Sequence, residues 1–228
     1  MEKFLINILK NKVIVNVYVI VLQMCKNKII SEVNPYKGFR RMTSRPLYHR
    51  FLWCNGLFCF DERRGVMRQI KSKERVAKHG EVFTNEREVK AMLDLVKDET
   101  NKIDSTFLEP ACGDGNFLVE IIHRKLAFIG KCKKPNYKRD QPEYEKAMLR
   151  AVGSIYGIDI MQDNVKECVA RLYKVVCDEY EKQFKDTYLE DVEHCIRYIL
   201  SRNIVCGNAR TMKDYKGNPI VFSEWKNR

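Results

Sequence analysis

The chain has 228 residues, 45% of them hydrophobic and 32% charged, with 42 lysines and arginines against 30 aspartates and glutamates for a formal net charge of +12. That balance excludes an intrinsically disordered chain, and the length suits one well-buried domain plus an extension rather than two full domains. Such a positive excess favours a polyanionic partner, of which nucleic acid is the commonest, without separating DNA from RNA.

Residues 1–66 differ from the remainder and read as a basic and aromatic N-terminal extension, with the folded domain expected over 67–228. Within the extension, residues 13–22 (VIVNVYVIVL) form an apolar run too short to cross a bilayer as a helix. The β-branched content predicts a buried strand there, and no membrane partner is expected. Between residues 34 and 68, Arg40, Arg41, Arg45, His49 and Arg50 alternate with Tyr36, Phe39, Tyr48, Phe51 and Trp53. Arginines interleaved with rings suit stacking on a nucleic-acid strand. The absence of periodicity favours a poorly ordered leader.

Asn85, with Glu88 three residues later, has the pattern of a capping box. Val89, Met92, Leu93 and Val96 extend it into a helix over 86–98. Residues 106–124 (TFLEPACGDGNFLVEIIHR) pass from a short apolar strand through Glu109 and Pro110 into a turn with Gly113 and Gly115. A helix over 116–128 follows, with Phe117, Leu118, Ile121, Ile122 and Leu126 inward. Glycines at such a turn let the backbone bend sharply and leave room for a ligand, while the first amides of the helix face it. A dinucleotide fingerprint would need a third glycine where Leu118 stands.

Residues 130–143 are polar and lysine-rich (Lys131, Lys133, Lys134, Lys138, with Arg139), a solvated loop rather than a phosphate-contacting one. After a helix over 143–152, residues 154–160 (SIYGIDI) predict a strand ending in Asp159. A carboxylate at the tip of the second strand of a doubly wound sheet accepts hydrogen bonds from ribose hydroxyls. Asp159 lies farther beyond Gly115 than the usual ~20 residues, and the lysine-rich insertion accounts for the excess. Two helices (163–186, with Val165, Val169, Leu172, Val176 and Tyr180 inward, and 186–202, with Leu189, Val192, Ile196, Ile199 and Leu200 inward) lead to a third strand over 203–206.

The nine cysteines include no CxxC pair, and no histidine stands at metal-ligand spacing. No metal site is expected, and free thiols in a reducing cytoplasm are the simplest account. Cys112 has no evident base nearby in sequence, so a nucleophile is not expected there either.

The ten residues EPACGDGNFL (109–118) resemble the S-adenosylmethionine-binding motif of the amino-group DNA methyltransferases, in particular the adenine-specific (N6) enzymes of restriction-modification systems. HGEVFT (79–84) is similar to the family's second cofactor-contacting segment, although Asn85 stands where proline usually follows Phe-Thr. The resemblance implies an α/β fold, an incomplete Rossmann-like S-adenosylmethionine-dependent methyltransferase domain with three parallel strands and helices on both faces. It places Phe83, Thr84 and Glu109 near the methionine end of the cofactor, Gly113 and Gly115 beneath its backbone, Asp159 on the ribose and Asn208 on the adenine, with Pro110 and Ala111 also cofactor-binding. Asn208 stands where the family often has an aspartate, so its bond would lack charge assistance.

Enzymes of this family finish the site with Asn, Asp or Ser, then Pro-Pro, then Tyr or Phe, which holds the amine of a flipped base. No such tetrapeptide occurs, and Asn218-Pro219-Ile220 lacks the second proline and the aromatic, so no catalytic residue is assigned. The resemblance covers residues 68–228 and the cofactor-binding half only. It implies DNA as partner, with either a truncated product or a second polypeptide that supplies the catalytic motif and target recognition. Two alternatives stand beside this reading: a catalytically inactive cofactor-binding or assembly subunit, and a methyltransferase acting on RNA or protein.

Overall fold

The computed structural model describes residues 14–16, 70–132 and 140–225. The apolar run near the N-terminus contributes a strand, β1 (Ile14–Asn16). Helix α1 (Lys73–His79) begins where the Ser72 side chain accepts the Arg75 amide at 3.1 Å and ends at Gly80, whose φ of 66° stops the helix. Helix α2 (Glu86–Asp94) starts on Asn85, whose side chain accepts the Arg87 amide at 2.9 Å. The reciprocal half of the capping box is missing, because Glu88 leaves Oε2 buried without a partner. The helix also breaks at Leu95 instead of running to 98, and a single turn, α3 (Lys97–Thr100), follows.

Strand β2 (Thr106–Glu109) leads through the glycine turn into α4 (Asn116–Lys131), three residues longer than its apolar stripe indicates. Helix α5 (Gln141–Gly153) is capped by Asp140 and delivers the chain to β3 (Ile155–Asp159). Helix α6 (Gln162–Gln183), a 3-10 turn at Lys185–Thr187 and α7 (Glu190–Asn203) lead to β4 (Ile204–Asn208) and the short β5 (Lys213–Asp214). Leu189, expected inward, precedes α7 and is 49% exposed. Residues 133–139 of the lysine-rich insertion and most of the N-terminal extension lie outside the described residues.

The strands follow in the order β1-β2-β3-β4-β5. The first four are parallel, one more than expected, because β1 pairs with β2 (Ile14 opposite Thr106, Asn16 opposite Leu108). β5 runs antiparallel to β4. The sequential order decides where the helices lie. The crossovers from β2 to β3 and from β3 to β4 step the same way along the sheet, and right-handed crossovers in one direction return on the same side. Buried side chains of α2, α4, α5, α6 and α7 accordingly form one core with Phe107, Ile155 and Ile204 of the strands. Each Leu or Ile buried there contributes roughly 1.5–3 kcal/mol.

The opposite face, which carries Leu108, Tyr156 and Ile158, was expected to have helices of its own. Among the described residues the C-terminal tail crosses it instead. Phe222 packs edge-on against Tyr156 with ring centroids 5.1 Å apart, and the Tyr156 hydroxyl donates to the Ser223 carbonyl at 3.0 Å. Trp225 lies against Gly153 and donates its indole N–H to Asn203 at 2.8 Å. Parallel pairing also brings Asn16, Glu109, Asp159 and Asn208 to the same, carboxyl edge of the sheet.

Candidate functional site

In an open α/β sheet the carboxyl edge is where ligands bind, and the glycine turn occupies it. The Cys112 amide donates to the Ile158 carbonyl at 2.9 Å and the Gly115 amide to the Cys112 carbonyl at 2.8 Å, which folds the turn back over β3. Gly113 and Gly115 have φ of 54° and 95°, a region that side-chain-bearing residues rarely adopt. The space they leave is used by the protein itself. A Cβ on Gly113 would stand 3.0 Å from the Phe83 ring, and one on Gly115 would stand 2.7 Å from the Cys168 sulfur.

Phe83 therefore packs against the turn, and Thr84 follows it. The Asn116 side chain donates to the Thr84 carbonyl at 3.0 Å, tying the upstream segment to the start of α4. No side chain caps that helix start. At the tip of the turn Arg171 of α6 pairs with Asp114 at 3.0 Å and donates to the Asp114 carbonyl at 2.8 Å. Pro110 is half-buried and Ala111 exposed along the same turn.

Four carboxylates surround this edge. Glu109 is 9% exposed, its Oε1 accepts a bond from the Ala111 amide at 3.3 Å, and its Oε2 is buried without a partner. Burial pushes its pKa up to about 7, and the nearby Asp159 adds to the rise. Asp159 joins two elements. Its Oδ2 accepts the Gly113 amide at 2.9 Å, and its Oδ1 accepts the Met161 amide at 2.8 Å and the Asn164 side-chain amide at 3.2 Å. A carboxylate oxygen takes about two hydrogen bonds, so only Oδ2 retains an acceptor position. The ribose hydroxyls expected at Asp159 would find one open acceptor position. Glu81 Oε1 and Asp114 Oδ1 are also buried without partners.

Several contributors have no signal in the glycine motif. Glu81 Oε2 accepts from Arg75 Nε at 2.9 Å and from Asn164 at 3.1 Å. Arg75 and Lys71 pair with Asp163 and hold its carboxyl well below the usual range. These contacts link residues far apart in sequence, and only Glu81, within HGEVFT, lies in a segment that the sequence singles out.

Asn208 ends β4 at the same edge, but its side-chain oxygen accepts the Arg210 amide at 2.9 Å and the Thr211 amide at 3.4 Å. That oxygen caps a local turn. Asn218 and Pro219 belong to the hairpin beyond β4, where the Asn218 side chain donates to Asp214 at 3.1 Å and Pro219 bridges to Lys213. Cys112 is buried, and the adjacent Cys168 together with burial pushes its thiol pKa well up, so the reactive thiolate is disfavoured. Among the described residues no group of His, Cys, Asp and Glu is arranged to hold a metal ion, and no helix is long and apolar enough to cross a membrane.

The charge is divided unevenly. The described residues carry 23 lysines and arginines against 26 aspartates and glutamates, so the positive excess belongs to the rest of the chain. What lines the carboxyl edge is acidic and partly desolvated, with buried oxygens of Glu81, Glu109 and Asp114 left without donors. It can take a ligand bearing hydroxyl or ammonium donors, and the glycine turn beside it has an uncapped helix start. No known protein family, curated protein or solved structure matches the chain.

Proposed function

We propose that the chain binds S-adenosylmethionine and serves as the cofactor-binding part of an adenine-N6 DNA methyltransferase of a restriction-modification system. The observation that carries the reading is the buried, partnerless Oε2 of Glu109 beside the glycine turn. A desolvated carboxylate oxygen without a donor fits a cationic, donor-rich ligand such as the methionine end of this cofactor. The remaining acceptor position of Asp159 Oδ2 fits one ribose hydroxyl, and Phe83, Thr84, Pro110, Ala111, Gly113 and Gly115 line the same turn. When bound, the cofactor supplies an electrophilic methyl group. With its oxygen committed to the turn, Asn208 offers the adenine ring a donor from its NH2 rather than an acceptor for the ring's exocyclic amine.

A second reading is a catalytically inactive cofactor-binding or assembly subunit, favoured by the placement of Asn218-Pro219-Ile220. These residues sit in a hairpin, Asn218 is bonded to Asp214, and Val221 rather than an aromatic residue follows Ile220. A methyltransferase acting on RNA or protein would share the same cofactor contacts. In either reading contact with DNA falls to the basic residues 1–69 and 133–139 or to a second polypeptide.

Calorimetry with S-adenosylmethionine tests binding: the full chain should bind, and Asp159→Ala should abolish the heat. Absence of binding by the unmodified chain would refute the proposal. Incubation with unmethylated duplex DNA and methyl-labelled cofactor separates the readings. Label in adenine identifies the enzyme, and label only after addition of a second polypeptide identifies the subunit.

A further inference from the structure

We infer that Asn164 is the positioning residue for Asp159, and that its side-chain amide sets the orientation in which Asp159 meets the cofactor. The inference rests on the proposed S-adenosylmethionine site. Asn164 lies in the first turn of α6 and is 1% exposed. Its NH2 group is a fork: one bond goes to Asp159 Oδ1 at 3.2 Å and one to Glu81 Oε2 at 3.1 Å. Its oxygen accepts from Lys71 Nζ at 2.7 Å and from Arg75 Nη2 at 3.2 Å. All the hydrogen-bonding capacity of one buried amide is thus spent between two carboxylates on one side and two cations on the other.

The arrangement has a consequence for Asp159. Its Oδ1 is filled by Asn164 and the Met161 amide, so the carboxylate cannot rotate without losing both bonds. Oδ2 is thereby turned toward the Gly113 amide and the edge of the turn. The amide also separates two acids that would otherwise repel each other in a desolvated place. Aspartate at this position would have nearly the same shape and the opposite effect, because an oxygen would replace the donor and face both carboxylates.

The test is Asn164→Asp in the full chain, read by calorimetry with S-adenosylmethionine from pH 6 to pH 8. The charged groups facing the position are Lys71 and Arg75 from α1 and the residues before it, Glu81 from the following loop, Asp159 from β3 and Asp163 from α6, with Glu109 of β2 near Asp159. Wild type supplies the reference for the titration of Glu109. Relative to wild type, the variant should bind at least about tenfold more weakly at pH 8, because the introduced carboxylate faces Asp159 and Glu81 with no donor between them. Adding Glu81→Gln returns an amide to the pair and should restore part of the affinity at pH 8, which a loss of packing would not allow. If Asn164→Asp alone does not fold by circular dichroism, the same comparison is made between the double variant and Glu81→Gln. Wild-type binding with an unchanged affinity and pH profile in the variants would overturn the role of Asn164 alone. Failure of wild type to bind would overturn the site itself and this inference with it.

Discussion

Replacing Glu109 by glutamine should make the protein more stable at pH 8 and less able to bind cofactor. The carboxyl is buried, accepts a single 3.3 Å bond, and has its pKa pushed up to about 7 from an ordinary value near 4.5. A carboxyl whose folded pKa lies above its unfolded one binds its proton more tightly in the native state, so its ionisation weakens the fold. The penalty is absent below about pH 4.5, grows as pH rises toward 7, and is complete above it. The interval is roughly 2.5 units, and at 1.36 kcal/mol per unit the penalty reaches about 3 kcal/mol. Glutamine does not ionise and should escape it.

Urea unfolding of both proteins between pH 4.5 and pH 8 measures this directly, with the difference cancelling every group common to the two, including Lys125. The unfolding free energies should be similar near pH 4.5, offset only by the unpaired amide of the glutamine. They should separate by about 3 kcal/mol in favour of Glu109→Gln at pH 8. Calorimetry with S-adenosylmethionine should show the opposite order, with the variant at least about tenfold weaker because the carboxylate is the charged partner of a cationic ligand. A stability difference that stays constant with pH would refute the assignment of Glu109 as a strained, unpaired carboxyl.

Lys125 should be purely structural, and burial lowers its ammonium pKa to about 7. Its Nζ donates to the carbonyls of Lys102, Ile103 and Ser105 at 2.9, 2.8 and 2.7 Å, and Lys125→Met should lower the unfolding free energy by about 2–4 kcal/mol, the net of three orphaned acceptors and a relieved buried charge, with cofactor affinity unchanged. Gly115→Ala should cost about 2–4 kcal/mol by urea unfolding, from the φ of 95° and the 2.7 Å approach to Cys168, and adding Cys168→Ala should recover the steric part only. Full recovery in that double variant would show that backbone conformation contributes nothing there.

What could be read from the chain was whatever repeats at short range. The stripe Leu118, Ile121, Ile122 and Leu126 identifies α4, the cap at Asn85 fixes the start of α2, and the acid after SIYGI marks the end of β3, because each signal lies within a turn or two of the structure that it specifies. The glycines at 113 and 115 were legible as a turn but not in their reason. Their closest neighbours, Phe83 and Cys168, come from segments with no local relation to the motif. Lys125 falls on the buried side of α4, and periodicity assigns a lysine there to the surface unless the three carbonyls that receive it are known.

The same limit governs the helices. An expectation of helices on both faces presumes a strand order that reverses, whereas β1 joins the edge of β2 and leaves all four parallel strands in sequential order. Right-handed crossovers in that order put the helices between β2, β3 and β4 on one face, and among the described residues the C-terminal tail lies on the other. Asn164, Arg75 and Lys71 are interleaved among Glu81, Asp159 and Asp163, and Arg171 pairs with Asp114. The partnerless oxygens of Glu81, Glu109 and Asp114 are the part of that arrangement the protein does not satisfy by itself, and they are where a donor-rich ligand gains most by binding.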